Sequence, residues 1–247
     1  MVWPSKALGS LYSTLYCDYD GRVFSLDDVA SLVGSRPRAK VYLHRLRRGG
    51  WAFPFSREGR GMYRLQRPEV SVLTECGKIR GLTNVKQQEY AGLLGTFAAE
   101  VIGSVGGVKS LVLFGSLARG KARSDSDVDL IAVIENKDTV RSAFGAMTEL
   151  EQEGRTADEL KYLASRGIFT HLSVLPMSAS HLSTHPFILL DAVEDGLLIC
   201  DDGTFESEAS KMKRGLERLG ARRVFLGEEN WYWDLIPRYS KGMSVEI

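Results

Sequence analysis

The residues that could do chemistry sit within twenty positions of one another, from Leu111 to Leu130. Leu111 to Phe114 is a short apolar run of the kind that forms a buried strand. Gly115 allows a tight turn, and Ser116 is a natural N-cap for a following helical turn. Free amides at a helix start, with the helix dipole behind them, attract anions such as phosphate. Ten residues separate Ser116 from Asp127, and Asp129 follows, leading into a second apolar run, 130–134. On a strand, residues i and i+2 point the same way, so both carboxylates share a face beside the anion turn. Paired hard oxygen ligands next to phosphates suit Mg²⁺. A strand-turn-strand whose Asp residues merely cap a turn would give no reason for both to begin an apolar strand.

The elements that must position this pair are read on either side of it. A helix over 83–104, ended by Gly106-Gly107, precedes the first motif strand, with Val85, Tyr90, Leu93, Leu94, Phe97 and Val101 inward. After the second strand, 136–166 has helical period broken at Gly154, and 168–176 is another apolar strand. Leu197 to Cys200 is a short strand, 201–203 a solvated turn and 206–219 an amphipathic helix. In the tail, alternation puts Trp231 and Trp233 on one face, where core packing is favoured over base stacking.

Gly115-Ser116, ten residues, then Asp127-Val-Asp129 resembles the motif of the DNA polymerase β-like nucleotidyltransferases, and within them the minimal nucleotidyltransferases. The resemblance implies that Gly115 and Ser116 hold nucleotide phosphates and that Asp127 and Asp129 bind Mg²⁺. It implies transfer of a nucleoside monophosphate from a nucleoside triphosphate to an acceptor hydroxyl, with pyrophosphate leaving. Arg119, Lys121 and Arg123 lie between the two halves of the motif and would neutralise that pyrophosphate, or simply keep a loop soluble. Members usually carry a third carboxylate on a later strand. Here that strand runs Ile168-Phe-Thr-His-Leu-Ser-Val-Leu175 and holds no acid. Glu135 would lie ~26 Å along the strand from Asp127 at ~3.3 Å per residue. His171, Ser173, Asp191 and Glu194 remain as candidates to face the site.

Composition constrains the rest. The 247 residues suffice for one large domain or two small ones. No apolar run approaches the roughly 20 residues of a membrane span, and no basic-then-apolar leader opens the chain. Cys17, Cys76 and Cys200 lie far apart, without zinc or disulfide spacing, which points to a reducing compartment and a cytoplasmic protein. Net charge is +1, but residues 36–67 hold ten basic side chains and one acid, Glu58, for +9, leaving −8 elsewhere. One small region is thus prepared for a polyanion.

That region has its own pattern. Residues 8–19 suit a helix, 22–24 a short strand, and Ser25-Leu-Asp-Asp28 opens a second helix in capping-box form, stopped by Gly34. Pro37 starts a third helix, with Ala39, Tyr42, Leu43 and Leu46 inward and Gly49-Gly50 at its end. Strands 51–55 and 62–65 make a hairpin. Three helices and a basic-tipped hairpin resemble a winged helix-turn-helix domain. That resemblance puts Arg36, Arg38, Lys40, Arg45 and Arg48 against DNA or RNA, with Arg57 and Arg60 on backbone phosphates. A merely solvated face, or a grip on a protein, competes with it. His44 is read as structural.

The expected fold is α+β: a winged helix domain over 1–67, a linker over 68–82, and a nucleotidyltransferase domain over 83–247 with a small mixed sheet flanked by helices. Two rival functions use the same residues. One is a DNA-binding regulator whose transferase fold senses nucleotide or is weakly active. The other resembles the antitoxin role of some minimal nucleotidyltransferases, with a toxin-like protein as partner.

Overall fold

The computed structural model describes residues 5–55, 61–227 and 231–237. A four-stranded mixed sheet carries the motif. It is built from β4 (Val108–Leu113), β5 (Val128–Ile134), β6 (Leu172–Ser178) and β7 (Leu197–Asp201), in the spatial order β6-β5-β4-β7. β5 runs parallel to β6, and β4 is antiparallel to both of its neighbours. β4 and β5 are buried along nearly their whole length, which is why they read as continuous apolar runs rather than alternating ones. Short α6 (Gly115–Arg119) lies between them.

Helices cover both faces. α5 (Ala91–Ser104), α7 (Val140–Gln152) and α8 (Arg155–Ala164) pack Leu94, Phe97, Met147 and Leu163 onto Leu111, Leu130 and Ala132. α9 (Ala179–Leu182), α10 (Leu189–Asp195) and α11 (Thr204–Leu219) place Leu182, Leu189 and Met212 on Val112, Ile131 and Val133. Gly154, at φ +94°, makes the break between α7 and α8 that its glycine suggests. The turn after β7 is more than a solvated loop. The Asp201 side chain is fully buried and accepts from Ser110 Oγ at 2.6 Å and from the amides of Phe205 and Glu206, fastening the start of α11.

The N-terminal unit has its own small core around Leu15, Phe24, Val29, Leu43 and Leu46. Its elements run α1 (Lys6–Tyr19), β1 (Phe24–Ser25), α2 (Leu26–Val33), α3 (Arg36–Arg48), β2 (Ala52–Pro54) and β3 (Met62–Leu65). β3 is the middle strand, antiparallel to both β1 and β2. The capping box at Ser25 and Asp28 is formed, and Gly34 ends α2 in the left-handed region. Residues 56–60, and with them Arg57 and Arg60, lie outside the described residues.

Three expectations need correction. The segment 68–82 holds α4 (Pro68–Glu75), whose Val70 lies in the main core with Ile79 and Leu82, so it is packed structure rather than a free linker. The helix expected over 83–104 starts only at Ala91. Before it, Leu82–Asn84 and Gln88–Tyr90 form two 3-10 turns. Gln88 Nε2 takes the carbonyl of Leu82 at 2.9 Å, a carbonyl that a continuous helix would have used. β6 begins at Leu172 and not at Ile168.

The two units share more than α4. Phe53 and Phe55 of the hairpin reach into the main core. Arg64 on β3 forms a two-pronged pair with Glu159 on α8, at 2.9 and 3.1 Å. Gly92 makes room for this pair. A Cβ there would lie 2.9 Å from Glu159 Oε2 and 3.0 Å from Phe53, so any side chain would have to push the pair or the ring aside.

Candidate active site

The motif turn and the acids meet. Gly115 has φ +73°, a conformation that glycine adopts and other residues resist. A Cβ at Gly115 would run into the carboxylate of Asp129, whose carboxyl carbon would be 3.0 Å away. The glycine is therefore required twice, by its own backbone and by the close approach of Asp129. The Phe114 amide donates to the Asp129 carbonyl at 3.0 Å, which fixes the turn against the start of β5. Ser116 is the second residue of α6, and the cap position falls on Phe114, so the serine is not the N-cap that its type suggests. Its amide is still among the first of the helix, which have no intrahelical partner.

Gly115→Ala is expected to cost about 1–3 kcal/mol of stability through the strained turn alone. It should also displace the Asp129 carboxylate, which the added methyl would strike. Urea unfolding checks the cost.

The loop between the motif halves is held on all sides. Gln87 pairs its side-chain amide with both backbone groups of Ala122, at 2.8 and 2.9 Å. The Arg123 amide bonds Ser126 Oγ at 2.9 Å, and Thr170 Oγ1 donates to the Ser126 carbonyl at 2.7 Å. The Lys121 amide returns to the Ser116 carbonyl at 2.9 Å. The acids thus hang from a preorganised loop and not a free one.

β6 supplies neighbours of another kind. Ser173 is the register partner of Asp129, and its nearby hydroxyl favours the ionised form of that carboxylate. His171 Nδ1 lies 3.0 Å from Asp127 Oδ1. Burial pushes the Asp129 carboxyl above the usual range, and the charge of Asp127 pushes it further, against the pull of Arg119. Two acids crowded together, with one disfavoured as an anion, form a pair short of positive charge. The donors facing it are the carboxylate and hydroxyl oxygens of Asp127, Asp129 and Ser173, a set fitting a hard divalent cation such as Mg²⁺. Among the described residues no group of three His, Cys, Asp or Glu side chains could hold a metal. Asp191 faces Arg223 and Trp233, its carboxyl raised by burial, while Glu194 is exposed on α10.

Beside the turn opens a cavity of ≈ 740 Å³. Ser116, Arg119, Lys121 and Arg123 line it, as their place between the motif halves suggests. Lys86 and Arg223 line it too, and the residue pattern did not single them out. Lys86 lay in a segment expected to be regular helix. Arg223 lies on β8 (Arg222–Phe225), antiparallel to β9 (Trp231–Asp234). The alternation of Trp231 and Trp233 was the one available hint that a strand facing them would matter.

The basic side chains of α3 lie elsewhere. Arg36, Arg38, Lys40, Arg45 and Arg48 are all exposed, opposite the buried Ala39, Leu43 and Leu46. Arg36 is tied to Asp27.

No curated protein and no solved structure matched the chain. A family described as "Nucleotidyltransferase domain" matches residues 98–245, which take in the turn, both acids and the cavity's lining from Ser116 to Trp231, but not Lys86. With that match over more than half of its length, the chain belongs to the nucleotidyltransferase domain family.

Proposed function

We propose that the chain transfers a nucleoside monophosphate from a nucleoside triphosphate to an acceptor hydroxyl, with Mg²⁺ held by Asp127 and Asp129. The observation that carries this is the contact of the Asp129 carboxylate with Gly115, which makes the anion turn and the acid pair one site. When bound, Mg²⁺ supplies charge neutralisation at the phosphates, the main lever in phosphoryl transfer. Ser116 and the first amides of α6 bind phosphate oxygens. Arg119, Lys121 and Arg123 bind the leaving pyrophosphate, because they line the cavity that begins at Ser116. Ser173 and His171 orient the two carboxylates, one each. Incubation with α-labelled nucleoside triphosphates and protein, RNA or DNA acceptors tests the reading. Label on an acceptor with release of pyrophosphate supports it, and silence with all three refutes transfer.

A second reading concerns the N-terminal unit, which we propose is a winged helix that contacts nucleic acid. Three helices with a three-stranded sheet in the order β1-β3-β2 support it, as does the exposed basic face of α3 with Arg38, Lys40, Arg45 and Arg48. Affinity for DNA or RNA should fall steeply with salt, and the slope should flatten in Arg45→Ala/Arg48→Ala as phosphate contacts are lost. A flat response in the wild type would favour a protein partner, such as a toxin-like one. Serine rather than an acid opposite Asp129 on β6 favours the further variant, a regulator whose transferase domain is weakly active or only binds nucleotide.

A further inference from the structure

The hairpin of β8 and β9 presents a face that the transfer chemistry leaves unused. Arg223 and Phe225 alternate on β8, and across the hairpin they pair with Trp233 and Trp231. All four side chains therefore share one face. The inner end of this face is anchored. Arg223 bonds Asp195 at 2.8 Å, its guanidinium lies 4.4 Å from the Trp231 ring centre and 5.3 Å from that of Trp233, and Trp233 packs on the core below. The outer end is open. Phe225 is 64% exposed, yet it lines the same cavity as Ser116 and Arg119, and so does its partner Trp231.

A single exposed aromatic needs no explanation. This one is paired with a tryptophan and lines a cavity that Lys86, Arg119, Lys121 and Arg123 also line. Flat apolar rings and a set of cations beside the Ser116 turn, lining one cavity, match the two halves of a nucleotide, base and polyphosphate. The cavity volume also falls within the usual range for small-molecule sites.

We infer that Phe225 and Trp231 form the stacking platform for the base of the nucleoside triphosphate. The inference rests on the transferase reading and adds to it the part of the substrate that the motif does not address. Every base has a stackable face, so the platform sets affinity for nucleotides over bare polyphosphate.

Calorimetric titration of the full chain with Mg-ATP and with inorganic tripolyphosphate tests this. Phe225→Ala removes an exposed ring and should leave the fold intact. It is expected to weaken ATP about ten-fold or more, within the usual range for a lost base stack, and to leave tripolyphosphate unchanged. Trp231→Ala should do the same. Trp231→Phe, which keeps a ring, should stay within roughly three-fold of wild type, guarding against misfolding as the cause. Tyr232→Ala, on the opposite face, should change neither ligand. ATP affinity unaltered in Phe225→Ala and Trp231→Ala overturns the platform and leaves the transferase reading standing. Equal loss of ATP and tripolyphosphate also overturns it, since the hairpin would then shape the phosphate end. A wild type that binds neither ligand overturns both readings together.

Discussion

Asp129→Asn is expected to lower nucleotide transfer by about 10³-fold and, at the same time, to raise the melting temperature. The first effect follows if Asp129 helps hold a metal whose charge stabilisation is worth several kcal/mol. The second follows from its surroundings. Burial, and then the charge of Asp127, raise the Asp129 carboxyl above its ordinary value. The native state therefore binds this proton more tightly than the unfolded chain. Its contribution to stability is full below the unfolded value and is lost as pH rises through the folded value. At neutral pH the ionised carboxylate is a net cost, which asparagine removes without changing the shape. A structural acid would behave oppositely, with substitution lowering stability. Initial rates with labelled ATP and a pair of melting curves, one at acid pH within the ordinary carboxylate range and one at neutral pH, separate the two. The gap between variant and wild type should widen toward the higher pH.

Glu159→Ala is expected to destabilise the protein by about 3–5 kcal/mol, the usual cost of orphaning one half of a buried ion pair. Arg64 and Glu159 are only 3% and 5% exposed. The guanidinium also donates to the Gly21 carbonyl at 2.6 Å and lies 3.8 Å from the Tyr162 ring centre, so it cannot easily swing into water. The pair joins β3 of the N-terminal unit to α8 of the transferase unit, and Gly92 leaves the space it needs. Replacing both partners by apolar residues, as in Arg64→Met/Glu159→Leu, should recover most of the loss, because the desolvation of two charges disappears with them. Urea unfolding measures both. A cost below about 1 kcal/mol for Glu159→Ala would mean that the pair is solvated like a surface salt bridge.

What the sequence made legible was local. Gly115, Ser116, Asp127 and Asp129 fall on one turn and one strand start, so spacing alone brings them together. The capping box at Ser25 and the glycine break at Gly154 were readable for the same reason. What stayed hidden depends on distant partners. Arg64 and Glu159 are 95 residues apart, and nothing in either neighbourhood announces the other. The segment 68–82 lacks a clear period because Val70 meets the core from α4, Ile79 from a bend and Leu82 from a 3-10 turn. The helix start at Ala91 was obscured because Gln87 and Gln88 spend their side chains on backbone groups elsewhere. Ser173 and His171 were open candidates for the site, and the parallel register of β6 with β5 is what puts both beside the acids.

The most direct test of the central claim is a calorimetric titration of ATP into the full chain, with Mg²⁺ and then with a chelator, for wild type and Asp127→Asn. Binding that needs Mg²⁺ and weakens about ten-fold or more in Asp127→Asn is the expected result, since the acids and the glycine turn would then share one metal-nucleotide. Equal ATP affinity in chelator and in Asp127→Asn would contradict it.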